Sequence, residues 1–297
     1  MITDGLPISY LVQQCRSNLN DICHIDRLPG KQPGGKVHSI KDMIAQHVQE
    51  YLNENPAAEK VHIKLNGDGA RMTRNSNFVL LSFSHLQTGE NVMTAKGNRT
   101  LAILNGKEDN NNLKQSFGEI FEEFNSMIQE GKLQVQDKTI DVEYFLGGDY
   151  KYILLILGLN DAKSNYACAW CKLHKDDRWK TNQHYSHYNT YPLARSLSEM
   201  KEMCSCSADN YGCCKKPLID IPLSHVIPDE LHLLLRITDI LTKNLIIEAQ
   251  DWDIEDNLSS NAKFENHINK LLQTIRSCGI TFDIWGEKIS MIKKLRN

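Results

Sequence analysis

The sequence predicts an α/β fold in which a mixed sheet comes first and a helical, cysteine-rich segment follows. Three observations carry that prediction. Two apolar runs end in Gly-Asp: Val61-His62-Ile63-Lys64-Leu65-Asn66-Gly67-Asp68-Gly69 and Val142-Glu143-Tyr144-Phe145-Leu146-Gly147-Gly148-Asp149. Between them, strand-like and helix-like hydrophobic patterns succeed one another. Soon after the second run, Cys168 and Cys171 open a stretch in which cysteine, histidine and tyrosine rise.

Size and composition support a core. At 297 residues the chain can hold one large domain or two modest ones. Hydrophobic residues make up 41% and charged residues 24%, close to ordinary globular usage. No apolar run is long enough to span a membrane. The opening Met-Ile-Thr-Asp-Gly is neither a secretory signal nor a transit peptide, so an intracellular protein is expected. A net charge of −3 argues against an autonomous DNA-binding domain, which is normally basic. It leaves room for a catalytic domain whose grip on DNA lies elsewhere. Two short basic runs, Lys172 to Lys180 and Lys293-Lys294-Leu295-Arg296, read as solvated surface. No repeat and no small-molecule substrate pattern is evident.

The elements follow in order. Residues 1–37 form an N-terminal segment that ends in the turn-rich linker Leu28 to Gly35. Ser39 caps a helix with Ile40, Met43, Ile44, Val48 and Leu52 on one face, and Pro56 ends it. Strands are expected at 60–66, 77–83 and 99–105, then a polar loop at 107–112. A helix at 116–128 places Phe117, Ile120, Phe121, Phe124 and Ile128 on one side. A fourth strand at 138–146 and a short apolar helix at 150–159 complete a core over 38–160. Residues 161–297 read as a mostly helical insertion, with helices from Pro228 to about Ala249 and from Asn261 to Cys278.

The order β-β-β-α-β-α resembles the ribonuclease H-like arrangement. In that fold the first and fourth strands are neighbours, so Asp68 and Asp149 are expected to converge. Short carboxylates held by a sheet offer hard oxygens to Mg²⁺ or Mn²⁺. Such sites run two-metal phosphoryl transfer. A lone Gly-Asp-Gly is explained by turn preference; the pair at matching elements favours metal ligands.

Nine cysteines is an odd number, and Cys168, Cys171, Cys204, Cys206, Cys213 and Cys214 lie close in sequence. Without a secretory signal they read better as zinc ligands than as disulfides. Two residues between Cys168 and Cys171 let both thiolates face one tetrahedral Zn²⁺. His174 extends the run to Cys-x-x-Cys-x-x-His. The remaining ligands stay open: His174, His184 and His187, or the Cys204 to Cys214 loop. Tyr166 and Trp170 read as packing around the cysteines, and His225 and His232 as packed, hydrogen-bonded histidines.

Three segments together resemble the recombination-activating recombinase of antigen-receptor assembly and the Transib-like DDE transposases, in particular a transposase-derived group with that core. They are Leu65-Asn66-Gly67-Asp68-Gly69-Ala70; Gly147-Gly148-Asp149-Tyr150 with Tyr166-Ala167-Cys168-Ala169-Trp170-Cys171; and Leu231-His232 with the apolar run to Ile246. Ala194-Arg195-Ser196 is a weaker match. The resemblance covers about residues 60–250. It implies metal-dependent DNA cleavage and strand transfer, with Asp68 and Asp149 catalytic and Cys168 and Cys171 on zinc. It also implies a DNA partner, a homodimer and a nuclear location.

One departure matters. The family's third acid is a glutamate on a late helix, preceded by paired histidines that complete the zinc site. Glu248, Glu255, Glu265 and Glu287 do not stand in that context, so the insertion is expected to be truncated and the chain alone to have little activity. The alternative is a non-enzymatic, zinc-containing remnant that binds nucleic acid or protein.

Overall fold

Apolar residues two apart along the strands are buried on one face, and this alternation builds the sheet around which the chain is arranged. The structure, a computed structural model, describes residues 9–74, 76–94, 97–206, 210–259 and 266–281. It is α/β, with eight strands in one mixed sheet and eight α-helices among the described residues. The basic run at 293–296, Glu265 and Glu287 lie outside them.

Helix α1 (Ser9–Ile22) is followed by β1 (Ile25–Arg27) and β2 (Gly34–Val37). The linker expected there therefore ends in a strand that pairs with the main sheet. Helix α2 (Ile40–Glu54) starts where Ser39 Oγ accepts from the Asp42 amide, and it buries Ile40, Ile44, Val48 and Leu52.

Three antiparallel strands come next: β3 (Lys60–Arg71), β4 (Asn77–His85) and β5 (Asn98–Asn105). Helix α3 (Asn110–Glu130) begins earlier than its apolar pattern, because Asp109 caps it by accepting from the Asn112 amide. A hairpin of β6 (Lys132–Val135) and β7 (Lys138–Gly148) then returns the chain to the sheet. Strand β7 lies parallel to β3. Helix α4 (Tyr150–Ile156) follows.

Sheet order is β1-β2-β5-β4-β3-β7-β6, and β8 (Val226–Pro228) pairs in parallel with the end of β7. Phe117, Phe121, Phe124 and Met127 of α3 and the apolar face of α2 are buried in one core with Val61, Ile63, Leu65, Phe83 and Tyr144. His85, at the end of β4, is also fully buried. Its ring meets Tyr51 edge-on at 4.2 Å, and neither ring nitrogen has a hydrogen-bond partner.

The stretch 157–225 is less helical than its sequence implies. Its described residues are irregular chain with two short α-helices, α5 (Tyr185–Tyr188) and α6 (Leu197–Met203), and two single 3-10 turns. The chain divides into two units, Met1–Asp229 and Glu230–Asn297. In the second, the long helix α7 (Glu230–Ser259) precedes α8 (His267–Ser277), whose first-turn amides at His267 and Ile268 donate to the Asp253 carboxylate. No helix among the described residues is long and apolar enough to cross a membrane.

Candidate functional site

Register puts the two predicted acids one step past paired positions of neighbouring strands. β3 pairs with β7 from Lys60↔Asp141 to Gly67↔Gly148, so Asp68 and Asp149 are the next residues in line on neighbouring parallel strands. The two Gly-Asp runs end differently. Gly67-Asp68-Gly69 does not close its strand: β3 continues beside β4 to Arg71↔Asn77. β7 stops at Gly148, and Asp149 becomes the N-cap of α4, accepting from the Tyr152 amide at 2.6 Å. The unequal lengths leave a notch beside β3 where β7 has ended. Asp68 and Asp149 both lie at that notch.

Glycines make the notch possible. A Cβ on Gly67 would sit 2.0 Å from the buried Tyr152 ring, so only glycine lets α4 seat against β3. Gly148 has φ +134, a backbone conformation that L side chains rarely adopt, and it turns the chain out of β7 into the cap.

A third acid that sequence reasoning missed lies within electrostatic reach of both aspartates. Glu108 lies in the corner between β5 and α3, and its carboxylate rests over Gly69, where a Cβ would meet Cδ and Oε2 at 2.7 Å. Its side chain is only 7% exposed. Lys151, two residues after Asp149, donates to Oε2, while Oε1 is buried with no hydrogen-bond partner. Burial pushes the Glu108 carboxyl above the usual carboxylate range. Lys151 opposes that shift, and the negative charges of Asp149 and Asp68 add to it. Its only local signal is an acid immediately before a helix N-cap.

Strand β8 continues the pattern on the other side of β7. Pro228 stands opposite Gly148, and the Asp229 amide donates to Gly148 O at 3.0 Å. Asp68, Asp149 and Asp229 are thus the next residues in line after the last paired positions of three neighbouring parallel strands. His225 fixes this return. It hydrogen-bonds through Nδ1 to Tyr144 O at 2.9 Å and stacks on Phe145 at 4.7 Å, the packed role expected for it.

The cysteines are all free thiols and are held apart. Cys168 and Cys171 are the exception: each thiol shifts the other. The Cys171 thiol, backbone amides and the nearby Arg195 charge bring Cys168 down to about 6, and the Cys171 thiol is pushed up in turn. Arg195 is buried and organises the loop. Its Nε donates to Cys168 O at 2.9 Å and Cys171 O at 3.1 Å. Its Nη2 donates to Tyr211 O at 2.7 Å and Tyr166 O at 3.2 Å, and its Nη1 lies 3.5 Å from Cys213 Sγ. His174 is turned to Asp176, whose amide donates to Nδ1, and packs on Tyr166. Cys204 and Cys214 hydrogen-bond to Lys201 O and Gly158 O. Trp170 donates to Leu223 O at 2.9 Å and stacks on Tyr150, which is packing rather than an open ring face.

Donor chemistry at the notch fits a hard divalent cation: carboxylates only, one with an orphaned buried oxygen. The Cys168–Cys171 pair offers soft donors suited to zinc. Neither set is gathered into a shell: among the described residues, no three His, Cys, Asp or Glu are placed to hold one ion. Known protein families give no match to this chain, and neither do the curated proteins.

Proposed function

We propose that the notch is the acidic core of a metal-dependent phosphoryl-transfer centre acting on DNA, of the type found in DDE transposases and recombinases. The observation that carries this reading is the register of Asp68 and Asp149 on adjacent parallel strands. The sheet order also supports it: three antiparallel strands, a helix, then a hairpin whose second strand returns parallel beside the first of the three resembles the ribonuclease H-like arrangement. Under this reading Asp68 and Asp149 hold Mg²⁺ or Mn²⁺. When bound, the cations supply activation of a water or 3′-hydroxyl and stabilisation of the leaving oxygen. The chain's own part is placement. Asp149 is fixed by its cap bond, and Asp68 by the β3–β4 ladder that continues past it.

Two acids alone hold such cations poorly, so cleavage by this pair without a further carboxylate is expected to be weak. The test is calorimetric titration of the full chain with MnCl₂. The parent is expected to bind, and Asp68→Asn and Asp149→Asn each to weaken binding by about tenfold or more. Unchanged binding in both variants overturns the reading. Robust Mn²⁺-dependent nicking of plasmid DNA, lost in Asp149→Asn, would establish an enzyme.

A second reading draws on the paired thiols. A zinc-containing module that binds nucleic acid or protein without catalysis is supported by the lowered Cys168 thiol beside Cys171. Here zinc measured by mass spectrometry after purification without chelator should fall in Cys168→Ser. Less than about a tenth of an equivalent in the parent would remove the zinc site.

A further inference from the structure

We propose that α7 is one strand of a parallel, two-stranded coiled coil whose other strand is α7 of a second copy of this chain. Every residue from Glu230 to Leu241 is exposed, and most of them are apolar. An apolar surface of that length left in water marks an interaction site.

A seven-residue spacing runs through it. Leu233, Ile237, Ile240, Ile247 and Ile254 fall at the inward positions of a heptad, over about three repeats and about 33 Å of helix. Leu233, Ile237, Ile240 and Ile254 are between 43% and 58% exposed. Leu234 and Leu241 flank the seam and widen it. Helix α8 does not cover it. The Trp252 ring packs on His267, Asp253 accepts from the first amides of α8, and Asp256 bonds the His267 ring. At 3.6 residues per turn these positions stand about 110–150° around α7 from the seam.

Polar residues at the seam select the occupant. Asn244 stands at an inward position, where asparagine pairs with its own copy and specifies two parallel strands in register. In that register Lys243 lies beside Glu248 of the partner subunit, so opposite charges meet across the flank. An antiparallel pair would instead set Asn244 and Asp251 against apolar residues, leaving their polar groups unmatched. Asp251 also takes an inward position. In the parallel pair it faces its own copy, and this repulsion holds the dimer below its full strength.

Sedimentation equilibrium of the full chain tests the seam. The parent is expected to dimerise, and Ile240→Glu to weaken the dimer by about a hundredfold or more by forcing a charge into the seam. Leu245→Glu alters a side chain that is equally apolar and 50% exposed but lies off the seam, and should leave the dimer unchanged. Lys243→Glu should weaken it several-fold, and adding Glu248→Lys should restore it. Asp251→Asn should tighten it several-fold, a gain that misfolding does not imitate. A parent still monomeric at about 100 μM overturns the proposal. Equal loss in Leu245→Glu and Ile240→Glu overturns it by showing general apolar sticking. A charge swap that fails to restore the dimer, or an Asp251→Asn variant no tighter than the parent, overturns the parallel register. Should Ile240→Glu fail to fold, the swap and Asp251→Asn decide.

Discussion

The carboxylate notch and the cysteine loop belong to the same unit of the chain, yet they are held by opposite means. At the notch, backbone ladders do the positioning. Asp68 and Asp149 stand together because β3 and β7 pair in register, whatever their side chains touch. In the loop there is almost no ladder. Isolated bridges join Cys171 to Ala194 and Leu159 to Cys213, and one buried guanidinium gathers carbonyls from four separate residues. Geometry set by a sheet tolerates side-chain loss. Geometry set by one side chain does not.

The largest effect is therefore expected at Arg195. Arg195→Met leaves several buried carbonyls without donors and should cost on the order of 3 kcal/mol or more. Limited proteolysis should then cut within residues 160–229 while fragments spanning the sheet persist. Equal loss of protection across the sheet would show that the two regions are not held independently.

A comparable effect is expected from pH, this time on the sheet side. Burial, with a smaller contribution from neighbouring His47, holds His85 down to about 4 in place of 6.5. Below pH 6.5 the unfolded chain takes up a proton that the folded chain refuses until about pH 4. Stability is therefore lost as pH falls through that window, by up to on the order of 3 kcal/mol. Denaturant unfolding at pH 7 and pH 4.5 measures it. His85→Phe should flatten the dependence, and a slope unchanged in that variant would exclude His85 as its source.

Gly67→Ala ranks next. Its methyl group collides with the Tyr152 ring, and overpacking of this kind costs about 1–3 kcal/mol. The loss should be accompanied by weaker Mn²⁺ binding, since α4 carries the Asp149 cap. Destabilisation without any change in Mn²⁺ affinity would uncouple the glycine seat from the notch.

The smallest stability change belongs to the thiols. Cys168→Ser should shift stability by less than about 1 kcal/mol, because Arg195 grips the Cys168 carbonyl and not its sulfur. Its chemistry is the sharper readout. Cys168 opens onto a cleft lined by Trp170, Leu173, Tyr185 and Tyr188. Iodoacetamide should label it first, with a rate midpoint near pH 6. A midpoint in the ordinary thiol range would break the coupling to Cys171.

The sequence was most legible where structure is local. The Ser39 cap and the apolar face of α2 follow from spacing, and both strand-end aspartates stand out from their runs. What stayed hidden depends on distant pairing. β1 and β2 are three- and four-residue strands with no alternation of their own, and β2 is a strand only because β5 lies beside it. Residues 161–225 are rich in side chains that fill a core, which imitates helical content, yet hydrogen bonds to Arg195 replace periodic ones. Glu108 had no motif to announce it. Its place over Gly69 of β3 exists only once β5 and β3 are assembled.

Under the proposed metal-binding reading, Asp149 has a second duty as the cap of α4, and that changes how this chain would record its own history. A carboxylate that also caps α4 stays under selection for stability after any chemistry is gone, and asparagine, an equally good cap, is the one cheap replacement. Asp68 is exposed and makes no side-chain hydrogen bond or ion pair among the described residues. Nothing in the fold preserves it for its own sake. Across relatives of this chain, drift at position 68 with aspartate or asparagine kept at 149 would be the signature of a scaffold that had retired from catalysis. Aspartate kept at both positions would mark one still selected to cut.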